Sequence, residues 1–122
     1  MNAQQLEVQE KCIAFAVRVT NLHRYLVKEK KEFNHSDQLE RAGASIGALY
    51  SEAVYAESPL DFIHKLQIAQ KEANESIYWI KVLYRSDYLT KDEYNSILAD
   101  AEEMLRIITS IIITSKRNQQ KV

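Results

Sequence analysis

Two pairs of side chains have the spacing that a metal held inside a helical protein would need. Glu32 with His35, and Asp61 with His64, each set a carboxylate and an imidazole three residues apart on one helix face, as carboxylate bundles do around two metal ions. Such a centre also needs further carboxylates projecting into the core, and the apolar stripes traced below contain almost none. The first pair falls at a helix end, and the second points away from the apolar stripe of its helix. Nucleophilic chemistry has as little support. Three His and one Cys occur without a nucleophile elbow, a Gly-rich phosphate loop or any other local signature. Cys12, with no CxxC or Cys/His partner, reads as a small buried hydrophobe. No catalytic residue, metal or cofactor is assigned, and no enzymatic activity is expected.

Binding chemistry is better represented. Arg24, Lys28, Lys30 and Lys31 gather near the end of the first helical pattern, and Lys116, Arg117 and Lys121 follow the last one. Cations near helix C-termini complement the helix dipole, and Glu29, Glu32 and Asp37 dilute the first group. A ring of identical subunits would nevertheless repeat each patch and make a weak site multivalent. Arg24, Lys28, Lys30, Lys31, Lys116 and Arg117 are therefore the candidate contacts to RNA or DNA phosphate. The net charge of −1 supplies no global attraction for nucleic acid or anionic lipid, so any such binding is local.

The elements that position these groups are helices. Two Gly, one Pro and 27% charged residues in 122 favour long helices joined by short turns, in one all-α domain spanning residues 1–122. No run of about 18 apolar residues and no basic-then-apolar leader occurs, so a cytoplasmic location without a membrane partner is expected.

Apolar periodicity predicts four helices, over about residues 5–32, 36–57, 59–86 and 91–115, with a frayed polar tail over 116–122. In the first, Val8, Cys12, Phe15, Val19, Leu22, Leu26 and Phe33 form one stripe, with Leu6, Ile13, Val17 and Val27 roughly opposite. Ser36 is the expected cap of the second, whose core line is Leu39, Ala42, Ile46, Leu49, Tyr50 and Ala53. Gly43 and Gly47 weaken that helix by about 1 kcal/mol each against Ala, which points to a close helix approach.

The third helix is the centre of the pattern. Ser58 caps it, Pro59 occupies its first position and Asp61 its third. Phe62, Leu66, Ala69, Ala73, Ile77, Ile80 and Tyr84 line one side, while Leu60, His64, Ile68, Tyr78, Trp79 and Val82 line the other. The fourth opens with a Thr90/Glu93 capping box and a Leu89/Tyr94 staple. It buries Tyr94, Ile97, Leu98, Ala101, Met104, Leu105, Ile108, Ile111 and Ile112, leaving Ile107 and Ile113 outside the stripe.

Four helices of similar length with short connections fold as an antiparallel up-down-up-down bundle. One bundle cannot cover both apolar faces of its first and third helices, so self-association is expected. The candidate interface comprises Arg41, Ala44, Ala48, Glu52, His64, Ile68, Glu75, Tyr78, Trp79 and Val82. With a tight turn near Ser58, Arg41 stands level with Glu75 and Glu52 level with His64, which suggests charge-assisted pairs there.

The stretches SDQLERAGASIGALYSEA, SPLDFIHKLQIAQKEANESIYWIKVL and YLTKDEY resemble the four helix bundle protein family, also called the S23 or 23S rRNA intervening-sequence protein family. Its most specific parts here are Arg41-Ala42, Ser45-Ile46-Gly47, Glu52, Asp61-Phe62-Ile63, Lys71-Glu72-Ala73, Glu75 and Tyr78-Trp79. The resemblance covers essentially the whole chain. It implies a bacterial antiparallel four-helix bundle assembled as a homopentameric ring, without established enzymatic activity. A related group, the accessory variability proteins of diversity-generating retroelements, has a similar pentameric bundle that binds nucleic acid and a reverse transcriptase. Where the family usually has Asn-Ile-Ala-Glu-Gly, this chain has Leu49-Tyr50-Ser51-Glu52-Ala53, so a role tied to that Asn is lost while Glu52 stays. The expected function is non-enzymatic binding of RNA or DNA by an oligomer, with a protein-interaction adaptor lacking nucleic-acid affinity as the alternative.

Overall fold

Local chemistry at the helix starts sets the four elements. In the computed structural model, which describes residues 1–120, α1 spans Ala3–Lys30, α2 His35–Val54, α3 Pro59–Arg85 and α4 Lys91–Gln120. Ser58 caps α3 as its sequence predicts, accepting from the Asp61 N–H at 3.1 Å, while the Asp61 carboxylate accepts from the Glu57 N–H at 3.3 Å. The Thr90/Glu93 box opens α4 with two reciprocal bonds, at 2.8 and 3.1 Å. A second box, unforeseen in the sequence reading, opens α1: Asn2 and Gln5 exchange backbone-to-side-chain bonds at 2.8 and 3.0 Å. Asn2 three residues before Gln5 was the signal for it.

The start of α2 corrects the sequence reading. Ser36 is not its cap but already lies inside the helix, fully buried. The cap comes from upstream, where the Glu32 carboxylate accepts from the N–H groups of Asn34, His35 and Ser36 at 3.2, 3.1 and 2.7 Å. Lys31 makes this reach feasible by turning into the left-handed region at φ 57°. Burial pushes the Glu32 carboxyl up, but the bonds from Ser36, His35 and Asn34 more than offset it and hold the group below its usual value. Several boundaries also differ, and α1 starts at Ala3 rather than 5. α1 ends at Lys30 rather than 32, α2 ends at Val54 rather than 57, and α4 continues to Gln120, so residues 116–120 of the expected tail are helical. Lys121 and Val122 lie outside the described residues.

Cross-helix contacts show an antiparallel up-down-up-down order. Gly43 lies against Val19 and Gly47 against Cys12; Ser45 Oγ stands 3.1 Å from Glu72 Oε2; Gln70 donates to Thr109 at 2.9 Å. Tyr84 and Tyr94 stack at 4.1 Å. The fully buried centre contains Val19, Leu26, Leu39, Ile46, Leu66, Ile80, Leu83, Met104 and Ile108. On α3 the buried line is rotated from the expected one: Ile63, Ser76 and Leu83 are inside, while Phe62, Ile77 and Tyr84 are only half-buried. Phe33, expected on the core stripe of α1, is exposed, because helical periodicity ceases to apply beyond Lys30. The predicted close approach at the glycines is present. A Cβ on Gly47 would stand 2.9 Å from Cys12 Cβ, and one on Gly43 would stand 2.9 Å from a Val19 methyl.

Candidate nucleic-acid interface

The candidate phosphate contacts fall into two groups at opposite ends of the bundle. Arg24, Lys28, Lys30 and Lys31 are all exposed around the C-terminal end of α1. Lys116 and Arg117 are exposed on the last turns of α4, which runs antiparallel to α1, and Arg117 borders a groove that begins at Asn2 and Gln4. A helix of the length of α1 spans about 40 Å, so the structure does not bring the two groups together within one chain.

At the α1 end, local geometry makes the surface more cationic than its sequence suggests. Of the two carboxylates between Lys28 and His35, Glu32 is buried under the start of α2, and only Glu29 is exposed. The turn is fixed from several directions. The Glu32 N–H donates to Leu26 O at 3.0 Å, and Lys31 Nζ donates to Lys28 O at 3.1 Å. His23 Nδ1 lies 2.7 Å from Ser36 Oγ, and the His35 ring stacks on Trp79 at 5.6 Å. Three of the four groups in the carboxylate/imidazole pairs thus have structural partners: Glu32 and Asp61 serve helix starts, and His35 serves an aromatic stack. Among the described residues no three His, Cys, Asp or Glu side chains converge as metal ligands.

The candidate interface residues divide by exposure. Arg41, Ala44, Ala48, Glu52, His64, Glu75 and Tyr78 are exposed, while Ile68, Trp79 and Val82 are half-buried. The expected level pairs do not form within the chain. Arg41 Nε meets Asp37 one turn away at 3.0 Å, Glu52 meets Lys65 at 3.7 Å rather than His64, and Glu75 accepts from Trp79 Nε1 at 3.2 Å. The height rule holds, since Lys65 neighbours His64, but long cationic side chains find nearer carboxylates.

A groove of about 1280 Å³ runs beside α4, between it and the N-terminal half of α1, with Tyr50, Phe62 and Ile77 among its lining. Arg18 and Lys11 of α1 bridge to α4 at Asp100, Ser96 and Glu103. Burial and then the neighbouring Cys12 thiol raise the Tyr50 phenol above its ordinary value, and burial pushes the Cys12 thiol up to about 11. That thiol is unreactive at neutral pH.

Residues 4–110 match the family model of the 23S rRNA-intervening sequence protein. The chain belongs to that family. It is also similar to a crystal structure of a protein of unknown function from the S23 ribosomal protein family of Bacteroides thetaiotaomicron VPI-5482. The two are 48% identical over 88% of this chain and 96% of the other, with a TM-score of 0.86. No curated protein matches. In this chain several residues that carry the family pattern make contacts between its helices. Gly47 admits Cys12, Ser45 reaches Glu72, Glu52 meets Lys65, and Trp79 supports His35. The family match ends at Ser110, so the last turns of α4, with Lys116 and Arg117, lie beyond it. No helix among the described residues is long and apolar enough to cross a membrane.

Proposed function

We propose that this family member is a non-enzymatic, self-assembling bundle that binds RNA or DNA through cations repeated by its assembly, and that the assembly is a homopentameric ring. One observation supports the self-assembly on which the proposal depends: large apolar side chains stay in water on two different helices of the single chain. Ile13 and Val17 of α1 are 47% and 52% exposed, and Leu60 and Tyr78 of α3 are 72% and 58% exposed. Both helices flank α2, whose outward residues Ala44 and Ala48 are small. A contact of the α1 stripe of one copy with the α3 stripe of the next joins unlike surfaces, the kind of contact that builds a ring where its rotation closes, and not a two-fold dimer. The same assembly sets Arg24, Lys28, Lys30 and Lys31 at its rim once per subunit.

Light scattering of the wild type and of Val17→Glu tests the assembly. A ring mass that collapses to the monomer in the variant is expected; a wild-type monomer overturns the proposal. Fluorescence polarisation with labelled RNA and DNA between about 50 and 200 mM salt tests binding, which must weaken steeply over that range if several phosphates are contacted. The groove beside α4 favours a second reading, a protein-interaction adaptor, to which absence of binding at the low-salt end would point.

A further inference from the structure

The turn between α1 and α2 holds an apolar ring in water. Phe33 is 55% exposed, although continuing the α1 stripe would have buried it. α1 stops at Lys30, Lys31 turns left-handed, and the next side chain to enter the protein is the Glu32 carboxylate. Three N–H groups on Glu32, the Lys31 bond to Lys28 O and the His35–Trp79 stack then lock the turn. A locked turn presents its ring with little ordering left to do on binding.

The chain that leads into Phe33 is cationic. Lys30 and Lys31 precede it, and Lys28 and Arg24 continue downward on one face of α1, four residues apart and all exposed. Glu29 is the only exposed carboxylate from Lys28 to His35. Cations that follow a phosphate backbone beside an exposed aromatic ring are what single-strand sites are made of, because an unpaired base offers its face for stacking. The bases of a duplex are already stacked on one another and leave the ring nothing to meet.

We infer that the α1–α2 turn is a contact selective for single-stranded nucleic acid. Phe33 stacks on an unpaired base, and Arg24, Lys28, Lys30 and Lys31 take the flanking phosphates. The inference rests on the nucleic-acid reading above and narrows it.

Fluorescence polarisation with a short labelled oligouridine strand and a labelled duplex of equal length, on the assembled full chain, tests it. Phe33→Ala weakens single-strand binding on the order of 10- to 100-fold and leaves duplex binding unchanged. Phe33→Tyr keeps the ring and restores affinity. Lys28→Ala or Lys30→Ala lowers the salt slope for the strand by about 0.7 each. If wild type binds but prefers duplex, or if Phe33→Ala binds the strand as wild type does, the inference fails and the nucleic-acid reading stands. If wild type binds neither probe at about 50 mM salt, both fail. A loss of assembly mass in Phe33→Ala would assign the ring to a subunit contact and overturn the inference too.

Discussion

α1 packs its side chains on the bare backbone of α2 and meets α4 with the ends of long polar side chains. On the α2 side Cys12, Phe15 and Val19 press against Gly43 and Gly47, where the space that a methyl group would need is already filled. On the α4 side Lys11 reaches Glu103 at 3.3 Å, Arg18 reaches Asp100 and Ser96, and a groove opens beside them. The ion pairs of the second seam are roughly two-fifths exposed, where such pairs contribute about 0 to 1 kcal/mol each. The first seam depends on shape, to which interiors packed like crystals are sensitive. One face of a helix can thus be fixed in register while another is held by contacts that salt weakens.

The sharpest way to break this contrast is to fill the first seam. Gly47→Val places a branched side chain where even a Cβ would meet Cys12 Cβ at 2.9 Å, and that neighbour is anchored to its own backbone. A loss of about 2 to 3 kcal/mol in urea unfolding is expected, the usual cost of overpacking exceeding any gain from removing a helical Gly. The turn that closes the same seam comes next. Glu32→Ala leaves the first N–H groups of α2 without their acceptor and costs about 1 to 2 kcal/mol at neutral pH. Because the folded Glu32 lies below its ordinary value, its share of stability is fully present above about pH 4.3 and is lost as pH falls through the lowered value. Melting temperatures of the wild type and the variant should therefore converge in acid. The smallest effect is expected at the other seam, where Arg18→Ala lowers stability by less than about 1 kcal/mol, and less still in 1 M salt. A loss there as large as that of Gly47→Val would erase the contrast.

Most of the bundle was legible in the sequence because its signals are local. Ser58, Pro59 and Asp61, and then Thr90 and Glu93, mark helix starts within four residues, and apolar repeats of three and four mark the buried lines. Gly43 and Gly47 announced the close approach because nothing else justifies their cost in a helix. The failures came where a remote or reversed partner decides. Ser36 resembles a cap in isolation, yet a carboxylate four residues upstream takes that role once Lys31 has turned left-handed. Phe33 fits the α1 stripe only while the helix lasts. Buried Ser76 and Leu83 in place of half-buried Ile77 and Tyr84 reflect how α3 is turned between α2 and α4, which periodicity on one helix cannot report. The candidate site suffered from the same limit. Sequence could gather the cations, and the expected up-down-up-down order already set Lys116 and Arg117 at the far end from Arg24 and Lys28, but it could not reveal that Glu32 turns inward.

The light α1–α4 seam also bears on how the chain reaches its fold. Among the described residues it is the fullest helix pairing between partners that are not consecutive in the chain, whereas the three fuller seams each join neighbours. Contacts between sequence neighbours give a low contact order and need little loop closure before they stabilise anything. A nascent chain can therefore assemble α1, α2 and α3 as each emerges and add α4 against α3, leaving the long closure onto α1 for last.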